Sequence, residues 1–137
     1  MEHKDIVQYW VTEAEESNKI ARHLFDKKDY SYSLFFTVVL KNVKAFLGKL
    51  ELAGISISKA YIFGSYITGQ VDKWSDIDVA VVSPQITFDR FEERIRLTEL
   101  AVTIDDRIEP LPFNLERFIE EDPLVRKIIN EGFAIKS

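Results

Sequence analysis

The chain has 137 residues, 46% of them hydrophobic and 30% charged, with a formal net charge of −5, no cysteine and two histidines. That length holds one domain, or a small domain with a helical appendage, and the composition is that of a globular protein rather than a disordered or membrane one. The acid excess argues against extended nucleic-acid binding. No disulfide framework or thiolate metal site is possible, and two isolated histidines cannot build a zinc centre. The opening Met1-Glu-His-Lys-Asp5 lacks an apolar signal core and no apolar run reaches about 18 residues, so a cytoplasmic protein with no membrane partner is expected.

From about Asp5 to Lys28, apolar residues at Val7, Trp10, Val11, Ala14, Ile20, Ala21, Leu24 and Phe25 recur at helical spacing, which predicts an amphipathic helix. Ser31 can cap a second helix running to Leu50. That helix is apolar nearly all round near its start, so it needs cover on more than one side, its second half from the sheet. Ala53-Gly54 stops it, and Tyr61-Ile62-Phe63 reads as a short buried strand. Asp76 to Val82 turns from polar to apolar and reads as a second strand, ended by Ser83-Pro84. Phe88 to Ile104 is helical, with Phe91, Ile95, Leu100 and Val102 as its apolar positions. Arg107 to Leu111 alternates as an edge or mixed strand would, with Pro110 and Pro112 expected to stop it. Asn114 can cap a short helix through Phe118 and Ile119, Pro123 opens another that Gly132 closes, and Phe133-Ala-Ile135 can pair with the sheet. The alternation of strand and helix predicts an α/β (α+β) fold, a small mixed sheet flanked by helices and preceded by an N-terminal helical hairpin. The expected division is residues 1–50 for the hairpin and 51–137 for the sheet domain, with no Pro/Ser-rich linker between them.

The chemistry concentrates between Tyr61 and Val82. Gly64 permits backbone angles that a Cβ forbids, and Ser65 offers a hydroxyl and an amide N–H where a helix could begin, an arrangement suited to a phosphate. Asp76 and Asp78 are two apart along a strand, so they point the same way, roughly 7 Å apart, while Ile77 and Val79 point to the core. Two carboxylates on one side of a strand end repel each other unless a cation lies between them, and oxygen ligands beside phosphates suit Mg²⁺. Glu92-Glu93-Arg94 reads as a helix face and Asp105-Asp106 as a solvated turn.

Gly64-Ser65, residues 66–75, then Asp76-x-Asp78 entering an apolar strand resembles the signature of the DNA polymerase β-type nucleotidyltransferase superfamily, specifically its minimal nucleotidyltransferase (MNT) branch. The resemblance implies the nucleotidyltransferase fold, a Gly-Ser turn on the triphosphate, two Mg²⁺ ions on Asp76 and Asp78, and a third carboxylate on a later strand. Glu109, in Arg107-Ile-Glu-Pro-Leu-Pro-Phe113, matches that third position, with Asp106 as the alternative. The nucleotide-binding set is then Gly64, Ser65, Tyr66, Lys73 and Ser75, with Tyr66 or Trp74 available to stack on a base. Relatives carry a basic residue two or three positions after the serine. Here Tyr66-Ile-Thr-Gly69 has none, and Lys73 is the substitute at hand.

Trp10-Val-Thr-Glu-Ala14, Ala21-x-x-Leu24-Phe25, Tyr30-x-x-Ser-Leu-Phe-Phe36 and Leu40-Lys-Asn-Val-Lys-Ala45 look like the first two helices of HEPN domains, the helical partners of MNT proteins. No Arg is followed by His after four to six residues, so HEPN-type RNA cleavage is not expected. The two resemblances together imply transfer of a nucleoside monophosphate, AMP from ATP, to an acceptor hydroxyl on a protein such as a HEPN toxin. They also imply self-association through the N-terminal helices. The competing expectation is an antitoxin or dimerising binding module that keeps the fold without turnover. Transfer to a small molecule such as an aminoglycoside is a third, for which residues 114–137 leave little room to hold the drug.

Overall fold

The computed structural model describes residues 30–65 and 76–136. The helix expected over 5–28, and with it most of the HEPN-like hairpin, lies outside the described residues. A long helix, α1 (Tyr30–Leu52), leads into β1 (Lys59–Phe63). There follow β2 (Ile77–Ser83), α2 (Arg90–Ala101), β3 (Ile108–Asn114), a 3₁₀ turn (Leu115–Arg117), α3 (Pro123–Glu131) and β4 (Phe133–Lys136). The four strands form one sheet in the order β3-β2-β1-β4, with β1 antiparallel to both β2 and β4 and with β2 parallel to β3. A parallel pair needs a crossover connection, and α2 supplies it. The mixed sheet flanked by helices is the expected α/β (α+β) fold.

Side-chain alternation along the strands divides the core into two layers. Val39, Leu40, Val43, Phe46, Leu47 and Leu50 of α1 are fully buried against Ala60, Ile62, Ile77, Val79 and Val81 on one face, joined by Leu97 and Ala101 of α2. The second half of α1 therefore packs on the sheet, as its all-round apolar pattern requires. On the other face Tyr61, Ala80, Val82 and Phe113 meet Phe118, Val125 and Ile128. The unbroken Val79-Ala-Val-Val82 run is what a central strand covered on both faces demands. At the end of α1, Gly54 has φ +94 and donates its N–H to the Glu51 carbonyl, while the Ile55 N–H reaches Leu50. Only glycine takes that angle without strain, which makes Ala53-Gly54 the helix stop.

Three local expectations are corrected. Pro110 and Pro112 lie inside β3 rather than stopping it. Among the described residues β3 pairs with β2 alone, as an edge strand where a residue without an N–H can face the open side. Of the apolar positions expected over 88–104, on and around α2, Leu100 is part-buried against the core, but Phe91 is 73% exposed and Ile95 and Val102 are exposed as well. Glu93, Leu97 and Ala101 face inward instead, nearly half a turn away round the helix. The buried Glu93 carboxylate accepts at its Oε2 from the Thr87 N–H at 3.0 Å and from Arg96 at 2.8 Å, so this member of the expected helix face is an inward anchor. After Asn114 the chain makes only a 3₁₀ turn, capped by the Asn114 side chain on the Glu116 N–H, before the buried Phe118.

Candidate active site

Strand register assembles the site. β1 pairs with β2 so that Phe63 lies opposite Asp78, and β2 pairs with β3 so that Asp78 lies opposite Glu109. Gly64, Asp78 and Glu109 thus come from three separate segments to one end of the sheet. Asp76 stands two residues before Asp78, on the same side by the alternation of a strand. Ile77 and Val79 are fully buried on the opposite face. The backbone start of β2 is tied to β3 by the Ile77 N–H on the Arg107 carbonyl at 2.7 Å.

Gly64 is required twice over. Its φ is +77, and a Cβ placed there would lie 2.2 Å from the Asp78 Oδ2 and 3.2 Å from its Cγ. The first restricts side chains generally, while the second fixes the Asp78 carboxylate directly against the turn. Gly64→Ala is expected to destabilise the fold by about 1–3 kcal/mol and to displace Asp78. Chemical denaturation together with nucleotide binding would check both parts, and an unchanged midpoint would contradict them.

Asp78 is half-buried, and its carboxyl is pushed above the ordinary carboxylate range, chiefly by burial and then by the negative charges of Asp76 and Glu109, with Arg94 opposing. Three carboxylates gathered at one end of the sheet, with Arg94 the opposing cation, offer oxygen donors that suit a hard divalent cation. Asp106, the alternative to Glu109, is exposed in the turn before β3 and is not among the charges that act on Asp78. Among the described residues no group of three or more His, Cys, Asp or Glu side chains is arranged to hold a metal as it stands. A physical reason is visible in Glu109, whose Oε2 accepts from Arg94 of α2 at 3.0 Å.

Arg94 is the residue that sequence reasoning passed over as part of a helix face. Nothing in the spacing of 94 and 109 marks them as partners, because the contact exists only once α2 packs beside β3. With both side chains well exposed, the ion pair adds little to stability, about 0–1 kcal/mol. Arg94→Gln is expected to leave the unfolding midpoint within about 0.5 kcal/mol of the parent while tightening divalent-cation binding several-fold, since Glu109 loses its competing cation. A cation titration followed by calorimetry tests this, and weaker cation binding in the variant would refute it.

Ser65 follows Gly64, half-buried, at the end of the first described segment. Tyr66, Lys73, Trp74 and Ser75 lie outside the described residues. No helix among the described residues is long and apolar enough to cross a membrane.

No curated protein and no solved structure gives a significant match to the chain. A family model does: that of the polymerase β nucleotidyltransferases matches residues 41–137, from the middle of α1 through the whole sheet. The match spans the turn, both aspartates and the third-strand glutamate whose register was described above. The chain therefore belongs to the polymerase β nucleotidyltransferase family.

Proposed function

We propose that this chain transfers a nucleoside monophosphate, AMP from ATP, to an acceptor hydroxyl and releases pyrophosphate. The observation that carries the reading is the register that sets Gly64, Asp78 and Glu109 side by side in a member of a nucleotidyltransferase family. Asp76, Asp78 and Glu109 would hold Mg²⁺. Bound there, the ions would neutralise charge on the transferring phosphorus and on the leaving pyrophosphate. Gly64 lets the Asp78 carboxylate lie against the turn, and Ser65 donates to the phosphate oxygens. Glu109, once released by Arg94, accepts the proton of the attacking hydroxyl. By the MNT resemblance the acceptor is a hydroxyl of a protein partner of the HEPN type.

A second reading, a binding module without turnover, draws on one observation: Arg94 already neutralises Glu109. Calorimetric titration of ATP with and without Mg²⁺, on the parent and on Asp76→Asn/Asp78→Asn, tests the nucleotide site without knowledge of the acceptor, and pyrophosphate release then separates the two cases. Mg²⁺-dependent binding that disappears in the variant supports a nucleotide site, and pyrophosphate release on adding acceptor then supports transfer. Binding without release favours the module, and no binding at all rejects both.

A further inference from the structure

At the other end of the sheet, past the C-terminal ends of β2 and β3, lies a cavity of about 240 Å³ whose lining includes Phe88, Arg90, Phe113, Asn114, Arg117 and Ile119. Ser83 lies five positions beyond Asp78 along β2, roughly 16 Å, so this cavity is distinct from the carboxylate cluster. Arg90 stacks over the Phe113 ring at 4.6 Å and Arg117 over the Phe88 ring at 4.2 Å. Among the described residues, Arg94, Arg96, Arg107 and Arg126 donate to oxygens of Glu109, Glu93, Asp105 and Glu120 respectively. The guanidinium groups of Arg90 and Arg117 donate to no protein acceptor among the described residues.

Stacking uses the face of a guanidinium and leaves the N–H groups at its edge free to donate in plane. Two guanidiniums oriented by rings in one cavity, in a chain of net charge −5, are a localised cationic feature. The acid on the cavity wall, Asp122, is engaged as the N-cap of α3: its Oδ1 accepts from the Leu124 N–H at 2.9 Å and its charge faces the helix N-terminus. Asn114 is likewise committed, donating to the Ile86 carbonyl and accepting from Glu116. Among the described residues, the unused donors of the cavity include the two guanidiniums and the Thr87 hydroxyl, while Phe88, Phe113 and Ile119 supply apolar wall.

We propose that this cavity is a second ligand site, which takes a small organic oxyanion with an apolar body and grips the oxyanion between Arg90 and Arg117. The inference stands on this cavity alone and does not depend on the transfer reaction. Phenyl phosphate, benzoate and inorganic phosphate are the probes, titrated into the full chain by calorimetry and by amide chemical shifts. Saturable binding of phenyl phosphate or benzoate is expected, tighter than that of inorganic phosphate, with shifts centred on Thr87, Asn114 and Ile119 rather than on Gly64 and Asp78. The stronger of the two organic probes tells whether phosphate or carboxylate is preferred. Arg90→Ala and Arg117→Ala should each raise Kd about 10-fold or more. Because both arginines are exposed, circular dichroism should show the fold intact. Arg90→Lys/Arg117→Lys, which keeps the charge but not the planar fork, should bind less tightly than the parent. Absence of saturable binding, shifts confined to the Gly64 end, or affinity unchanged in the variants would overturn the proposal.

Discussion

Asp78→Asn is expected to abolish nucleotidyl transfer and at the same time to stabilise the metal-free protein. The loss follows from the position of the carboxylate against Gly64 and opposite Glu109: an anionic oxygen that would hold a cation under the proposed function becomes a neutral amide, which would remove several kcal/mol of transition-state stabilisation, or about 10³-fold in rate. The gain follows from the same geometry. Burial and the charges of Asp76 and Glu109 raise the Asp78 pKa in the folded state, so folding favours its protonated form and the ionised form costs stability. That cost is absent below the ordinary carboxylate pKa and sets in as pH rises through the raised one. At pH 7 without metal the asparagine variant should therefore melt above the parent, and the difference should vanish in acid. Thermal unfolding in chelator across pH reads the second effect, and pyrophosphate release reads the first. A variant that melts lower at pH 7, or that retains transfer, would contradict the assignment of Asp78. A functional group held at the expense of stability is the expected signature of a site that waits for a cation.

Asp105→Asn should have the opposite sign. This carboxylate, 6% exposed, accepts from the Arg107 backbone N–H and Nε at 3.0 Å each, from a second guanidinium nitrogen at 2.7 Å and from Asn42 Nδ2 of α1 at 3.0 Å. The hydrogen bonds from Arg107 lower its pKa from 3.8 to about 2, and Asn42 adds to them. A depressed pKa contributes stability above the unfolded value that is lost as pH falls towards the folded one. The shift corresponds to about 2 kcal/mol, present at neutral pH and lost between about pH 4 and pH 2. The variant should unfold about 2 kcal/mol more easily at pH 7, and its deficit should shrink across that window. Urea unfolding at a series of pH values would show this. A constant deficit down to pH 2 would mean that charge is not what Asp105 contributes. Asp105 also joins α1 to the turn that launches β3, so a looser turn would be expected to disturb the start of the strand that carries Glu109.

The residues of the candidate site differ in how much of their setting was legible in the chain. Gly64 next to an apolar triplet and the Asp76-x-Asp78 spacing are local patterns, and strand alternation alone places both aspartates on one side and Ile77 and Val79 on the other. Glu109 was legible by resemblance, since its spacing from Asp78 says nothing of a shared register. Arg94 and Asp105 were read as solvent-facing residues, because Glu, Arg and Asp on a helix or in a turn are exposed far more often than they are bonded across elements.

The sequence by itself determined the strands and longer helices of the described residues, the turn that needs glycine and the carboxylate pair, because each rests on a period of two or 3.6 residues or on a backbone angle, all properties of a few consecutive residues. Only the tertiary structure decided that β3 is an edge strand tolerant of Pro110 and Pro112, and that α2 buries Glu93 and Leu97 while exposing Phe91. It alone joined Asn42 to Asp105, Arg94 to Glu109, and Arg90 and Arg117 across one cavity. Those contacts link positions far apart in the chain, and they depend on the angle and rotation at which each helix settles on the sheet. Summed packing over the whole core sets that docking, and no local pattern encodes it.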